Sequence, residues 1–174
     1  SARSKTLTRW AFPAGAGLDA GQFKLVWADA EPAESTITHW HAGFRLTTKV
    51  LKLQAVDAPA QAAEQIGERR AVHLERLRYA DGHLLLVVQN YLPLSRFERL
   101  LAFEGLATTS LYVLLKQEFG VIASTGKRTI EIGRADAHVA DLLELQPGER
   151  VLFNRETTFD QDGRAIEYYE SWHH

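Results

Sequence analysis

The chain has 174 residues, 45% of them apolar and 24% charged, with a formal net charge of −2. This is the make-up of one ordinary globular domain with at most a modest extension; it argues against disorder and against a basic nucleic-acid-binding surface. With no cysteine, disulfides, thiol catalysis and zinc–thiolate sites are excluded, and no apolar run approaches the roughly 20 residues of a membrane-spanning helix.

The first 43 residues are loosely organised, punctuated by Pro13, Gly15, Gly17, Gly21 and Pro32. Within them Phe23 to Ala28 reads as a short strand, and Glu31 to Ala42 as a short helix stopped by Gly43. From Phe44 the pattern becomes regular. Arg45 to Val56 alternates apolar and polar residues and predicts a strand. Asp57 is placed to cap a helix with Pro59 in its first turn, an apolar stripe of Ala58, Ala62, Ala63 and Ile66, and Gly67 at its end. Ala71 to Ala80 and His83 to Leu92 predict a hairpin around Asp81-Gly82, closed by Pro93. On an ideal strand Val72, Leu74, Arg76 and Arg78 share one side.

Ser110 to Phe119 predicts a helix with Ser110 as its cap, Leu111, Leu114, Leu115 and Phe119 on its apolar side, and Gly120 as its stop. Val121 to Arg134 follows as a strand kinked at Gly126. Asp136 caps a helix running through Leu145, and Pro147-Gly148 turns the chain. Arg150 to Phe159 and Ala165 to Trp172 form a last hairpin around Asp160-Gln161-Asp162-Gly163. Hairpins bring antiparallel pairing, so the expected fold is α+β: an antiparallel sheet with helices packed on it.

The motifs of common enzymes are absent: there is no HExxH, G-x-S-x-G or P-loop, and Gly15-Ala16-Gly17 does not follow a strand and open a helix. The seven histidines do not fall at metal-ligand spacing. Trp10, Trp27, Trp40 and Trp172 read as core or interface residues. The absence of methionine makes Ser1 read as an internal position of a longer chain, with room before it for another domain. The start, SARSKTLTRW, is basic but lacks the apolar core of a signal peptide.

Five stretches, in order, carry a resemblance. They are Leu74-Glu75-Arg76-Leu77-Arg78-Tyr79-Ala80-Asp81-Gly82; Asn90-Tyr91-Leu92-Pro93; Ser110-Leu111-Tyr112 ahead of Gly120; Ala135 to Gly148; and Asp162-Gly163 with Ile166-Glu167-Tyr168 and Ser171. From about Arg45 to Trp172 the chain resembles the UTRA domain, the effector-binding half of HutC-subfamily GntR-type transcription regulators. The resemblance implies a chorismate-lyase-like fold over residues 44–174, with 1–43 as an extension or linker. It also implies a homodimer in the cytoplasm, no membrane partner and no cofactor or metal. A small anionic metabolite would be the effector, and operator DNA would be bound by a winged-helix domain lying outside this sequence.

The residues themselves leave alternatives open. Arg76 and Arg78 are either solvated on a wet sheet face or a pair of guanidinium forks that clamp a phosphate or carboxylate. Ser110 caps a helix, lends that helix N-terminus to an anion, or does both. Glu167 is either a surface carboxylate paired with Arg155 across the hairpin or an acceptor for a ligand's hydroxyl or amide groups. The resemblance implies the ligand-binding role for Arg76, Arg78, Ser110, Tyr112, Glu167 and His173. Two departures stand out. Val88 occupies a position where sugar-phosphate-binding relatives carry a carboxylate, and His173 stands where they often have an aromatic or hydroxyl group. Both imply a more apolar site, suited to an aromatic or aliphatic carboxylate. The expected activity is ligand sensing rather than catalysis. A chorismate-lyase-like enzyme is the competing reading, because the same fold supports it and paired arginines suit a dianion. A dimerisation module without a ligand is the third.

Overall fold

Two long hairpins build the molecule. The first joins β4 (Arg70–Ala80) to β5 (His83–Pro93), and the second joins β7 (Arg150–Asp160) to β8 (Ala165–His173). The computed structural model describes residues 46–173, together with the backbone of residues 26–27 and 40–41. The chain divides into two compact units, Ser1–Leu46 and Thr47–His174. In the first, β1 (Val26–Trp27) pairs in parallel with β2 (Trp40–His41). The expected strand around Phe23 to Ala28 is thus present at Val26–Trp27. The C-terminal end of the expected helix over 31–42 is strand instead: Trp40 and His41 take their hydrogen bonds from a neighbouring strand. The rest of that expected helix lies outside the described residues.

The second unit holds a sheet of six strands in the order β3 (Leu46–Asp57), β4, β5, β8, β7, β6 (Ala123–Arg134). The pairs β4–β5, β5–β8, β8–β7 and β7–β6 are all antiparallel. Cross-strand partners share a face, so the registers sort side chains into two sets. Arg76 of β4 lies opposite Val88 of β5, which lies opposite Ser171 of β8, which lies opposite Asn154 of β7. This row, together with the row Leu74, Asn90, Tyr169 and Glu156, defines the first face. The second face carries Glu75, Gln89, Glu170 and Arg155 in one row and His73, Tyr91, Tyr168 and Thr157 in the next.

Helices cover both faces. On the first, α3 (Leu111–Phe119) and the segment 94–107 pack onto one end of the sheet. There Val72, Leu74, Leu92, Phe97, Leu106, Leu114 and Leu115 form the main core. The segment 94–107, to which sequence patterning assigns no element, is α2 (Leu94–Phe97) followed by two 3-10 turns, Glu98–Ala102 and Glu104–Ala107. On the second face α1 (Ala60–Ile66) sits over Ala71, Tyr91 and Tyr168. Farther along that face α4 (Ala137–Leu143) sits over Leu77, Val87 and Val151.

The turn chemistry follows the residues that can adopt it. Asp81 and Gly82 both have positive φ, 48° and 78°, as a two-residue hairpin of matching twist requires. Gly67 and Gly120 end α1 and α3 in the left-handed conformation. Asp136 caps α4, its Oδ1 accepting from the Val139 N–H at 2.8 Å. Four local expectations need correction. Asp57 does not cap α1; it ends β3 and pairs with Arg69 at 2.8 Å, while Pro59 is the residue before the helix. Ser110 occupies the N-terminal boundary of α3, but its side chain makes no capping bond. α4 stops at Leu143, because Glu144 turns left-handed at φ 60°. The irregularity in β6 lies between Ala123 and Thr125 rather than at Gly126.

Candidate functional site

β4 explains why a strand face can be both core and site. Its residues Val72 and Leu74 lie under α3, within the main core, and are fully buried. Two and four residues farther along, the same face presents Arg76 and Arg78 beyond the covered end. The solvated reading of these arginines is wrong for Arg76, which is only 5% exposed, and Arg78 is half-buried. Burial holds both guanidinium pKa values below the ordinary arginine value, and for Arg76 the Glu167 carboxylate pulls the other way.

A continuous hydrogen-bonded chain runs from Arg76 across the sheet. Arg76 Nη2 donates to Asn90 Oδ1 at 2.9 Å, and Asn90 Nδ2 donates to Glu167 Oε1 at 2.5 Å. The other Glu167 oxygen accepts from the Tyr112 hydroxyl at 2.6 Å. Because the single Tyr112 proton goes to Glu167, the Thr158 hydroxyl, 3.2 Å away, is the donor in the remaining contact. Tyr112 enters from the first turn of α3, so this helix ties the hairpin of β7 and β8 to the covered end of the sheet. Glu167 is 1% exposed, and burial raises its pKa above the ordinary carboxylate value against the bonds from Tyr112 and Asn90 and the charge of Arg76. The same burial, with the Glu167 charge beside it, pushes the Tyr112 hydroxyl well above the ordinary tyrosine range.

The alternative reading, a Glu167–Arg155 pair, does not form. In the β7–β8 register Glu167 faces Thr158, whereas Arg155 faces Glu170 on the second sheet face and bonds Glu131 at 2.7 Å. Arg78 and His173 lie in one cross-strand row with Leu86 between them. His173 contacts Ser171 through Nε2 at 3.1 Å, and burial lowers its pKa. The structure thus joins Arg76, Tyr112 and Glu167 directly and sets Arg78 and His173 one row away. Ser110, two residues before Tyr112, is exposed.

A second polar group extends the same face toward β6. The Tyr169 hydroxyl donates to Glu156 Oε2 at 3.0 Å and accepts from Asn154 Nδ2 at 3.2 Å and Arg128 Nη2 at 3.3 Å. Arg128 also pairs with Glu156 through Nε. At Gly126 a side chain would occupy the place taken by the Glu156 carboxylate. Three buried polar atoms on this face have no hydrogen-bond partner among the described residues: Arg76 Nε, Arg78 Nε and Asn154 Oδ1. Native proteins leave few such atoms, and a ligand or water at the face would satisfy them.

The opposite face holds another buried carboxylate. Glu75 is fully buried and receives Lys52 at 2.8 Å, His138 of α4 at 2.7 Å and Gln89 at 2.9 Å. Burial opposes its ionisation, but the bonds from Lys52 and His138 outweigh that and hold its pKa below the ordinary value. Nearby, His73 stacks on Tyr91 with ring centres 4.8 Å apart. Among the described residues no group of three or more His, Cys, Asp or Glu is placed to hold a metal ion, and no helix is long and apolar enough to cross a membrane.

Sequence and structure comparisons agree on one relationship. The model of the UTRA domain matches residues 41–174. A protein of Escherichia coli K12, named a probable fructoselysine utilization operon transcriptional repressor, is 28% identical over 127 residues, which cover 70% of this chain and 51% of that protein. The chain therefore spans about half the length of the curated relatives it matches. Among solved structures, a protein of Streptomyces coelicolor described as a transcriptional regulator is 30% identical, with a TM-score of 0.67 over 75% of this chain and 87% of its own. The effector domain of PhnF from Mycobacterium smegmatis has the same fold at 24% identity, with a TM-score of 0.63 over 75% of this chain and 82% of its own.

Proposed function

The chain belongs to the UTRA domain family, and from that premise we propose that residues 44–174 form the effector-sensing domain of a GntR/HutC-type transcription regulator. The observation that carries this reading is a pair of guanidinium groups on one face, the buried Arg76 and the half-buried Arg78, each with a buried Nε–H that has no partner among the described residues. A buried N–H donor with a fixed positive charge is what a small anion requires. The effector is a small anionic metabolite, bound by Arg76 and Arg78, with Tyr112 and Glu167 beside them and Ser110 and His173 at the margin. Val88 lies between Arg76 and Ser171 in the floor of the site and supplies no polar group. An aromatic or aliphatic carboxylate therefore suits it better than an amino-sugar phosphate.

The domain works as a homodimer in the cytoplasm, and it performs no catalysis. Among the described residues β3 and β6 are the two edges of the sheet, and on β6 Ile130 and Ile132 are 57% and 70% exposed beside the exposed Leu152. This apolar edge receives a second copy of the chain. Effector binding favours one arrangement of the dimer over another, and so alters operator binding by an attached winged-helix reader.

A thermal-shift screen of small anions, including urocanate, cinnamate, fatty acids, sugar phosphates and chorismate, tests the reading. The expected result is a dose-dependent rise in melting temperature that disappears in both Arg76→Met and Arg78→Met. A rise that survives both substitutions would refute the arginine-anchored site. Release of pyruvate from chorismate would replace sensing with catalysis.

A further inference from the structure

Asn154 has a side chain whose orientation is forced and whose acceptor is left over. The Tyr169 hydroxyl has one proton, and Glu156 takes it at 3.0 Å. Toward Asn154, Tyr169 can therefore only accept, so Asn154 must turn its Nδ2 to Tyr169, at 3.2 Å. That leaves Asn154 Oδ1 buried and without a partner among the described residues, in a residue only 9% exposed. Gly126 helps to keep this arrangement, because it makes room for the Glu156 carboxylate that fixes Tyr169.

The other unpartnered atoms on this face are donors, Arg76 Nε and Arg78 Nε. Arg76 and Asn154 stand in one cross-strand row, with Val88 and Ser171 between them. Three strand spacings separate their Cα positions, about 14 Å, and the two side chains shorten the gap. One end of the row thus lacks an acceptor and the other lacks a donor, with an apolar and a small hydroxyl-bearing residue between. Two orphans of opposite kind on one face call for one molecule with an anion at one end and an O–H or N–H at the other.

We propose that Asn154 reads the far end of the effector, and that the effector is an elongated anion carrying a hydrogen-bond donor opposite its charged group, of the para-hydroxylated aromatic carboxylate type. The inference rests on the arginine-anchored site proposed above and adds the polarity of the opposite end. A donor-bearing ligand pairs Asn154 Oδ1; a ligand that lacks the donor buries that oxygen unpaired. The site therefore discriminates against the analogue by the missing bond, as sites built around a buried polar group do.

Calorimetric titration of the chain with para-hydroxycinnamate, cinnamate and para-methoxycinnamate tests this, with inorganic phosphate as the probe of the arginines alone. The hydroxylated acid should bind at least about fivefold more tightly than the other two. Asn154→Leu should remove that advantage, weakening the hydroxylated acid and tightening cinnamate, which no longer buries an unpaired oxygen. Asn154→Asp, which retains an acceptor, should weaken all three acids yet keep the ratio. The proposal is overturned if the hydroxyl gives no advantage, if the advantage persists in Asn154→Leu, or if none of the three acids binds. In each of those cases phosphate binding that is lost in Arg76→Met leaves the anion site standing. Phosphate binding that is indifferent to both arginines removes the anion site itself.

Discussion

Replacing Glu167 by leucine should be among the most damaging single changes outside the apolar core. The carboxylate is 1% exposed and accepts from Asn90 at 2.5 Å and Tyr112 at 2.6 Å. Its removal strands Asn90 Nδ2, deprives Arg76 of the carboxylate charge that acts on it and leaves Tyr112 with Thr158 alone. Breaking a buried, hydrogen-bonded charge network from one side costs about 3–5 kcal/mol. Glutamine keeps the geometry, since its Oε1 can accept from Asn90 and its Nε2 can donate to the Tyr112 oxygen, so Glu167→Gln should lie within about 1 kcal/mol of the parent at neutral pH. The two variants also separate charge from hydrogen bonding. A carboxyl whose pKa is higher in the folded state contributes fully below its unfolded value of 4.5 and loses that contribution as pH rises through the folded value. The parent should therefore lose ground to Glu167→Gln as pH increases from acid to neutral. Urea denaturation at several pH values, with a common slope for the three proteins, reads both effects. A Glu167→Leu variant as stable as the parent, or a glutamine variant as unstable as the leucine one, would refute this account of the network.

The second buried carboxylate should behave in the opposite sense. Glu75 is held below its ordinary pKa of 4.5, so its stabilisation is complete above that value and fades as pH falls through the folded one. The advantage of the parent over Glu75→Gln should shrink on acidification, and an advantage that grows would contradict the assignment; denaturation midpoints at pH 3 to 7 decide it. Phe97→Ala removes a fully buried ring packed edge-on against Phe119 at 5.3 Å, and should cost about 3–5 kcal/mol by the same measurement. Ile132→Asp places a charge on the edge strand β6 and should shift sedimentation from dimer to monomer without lowering the melting temperature of the monomer. An unchanged sedimentation coefficient would remove that edge from the interface.

Periodicity and turn residues located the sheet strands of the second unit because their signals are local. Asp81-Gly82 needs two positive φ angles that few other pairs tolerate, and Gly67 and Gly120 end helices for the same reason. The segment 94–107 escaped because its turns are short and have no helical period, even though Phe97, Leu100 and Leu106 are core residues. Of the proposed site, the resemblance points to Arg76, Tyr112 and Glu167, whereas it gives no role to Asn90 or Asn154. Asn90 illustrates the obstacle. Counting back from the turn, where Ala80 pairs with His83, would set Arg76 opposite Val87 and put Asn90 on the wrong face. A bulge between Arg78 and Tyr79 shifts the register by one and brings Asn90 to Arg76. Nothing in the local sequence announces that bulge. Asn154 is hidden differently: its importance lies in what Tyr169 and Glu156 leave unsatisfied, which only a three-dimensional hydrogen-bond network can display.

The central claim is that the Arg76–Arg78 pair receives an anion. Nitrogen-labelled arginine side chains observed by NMR during titration with inorganic phosphate test it most directly, because the Nε–H groups of Arg76 and Arg78 are buried and lack partners among the described residues. The account predicts that these two resonances, assigned through Arg76→Met and Arg78→Met, shift together and saturate while those of Arg69, Arg99 and Arg150 on the surface stay in place. Shifts confined to the surface arginines, or a uniform drift with no saturation, would contradict it.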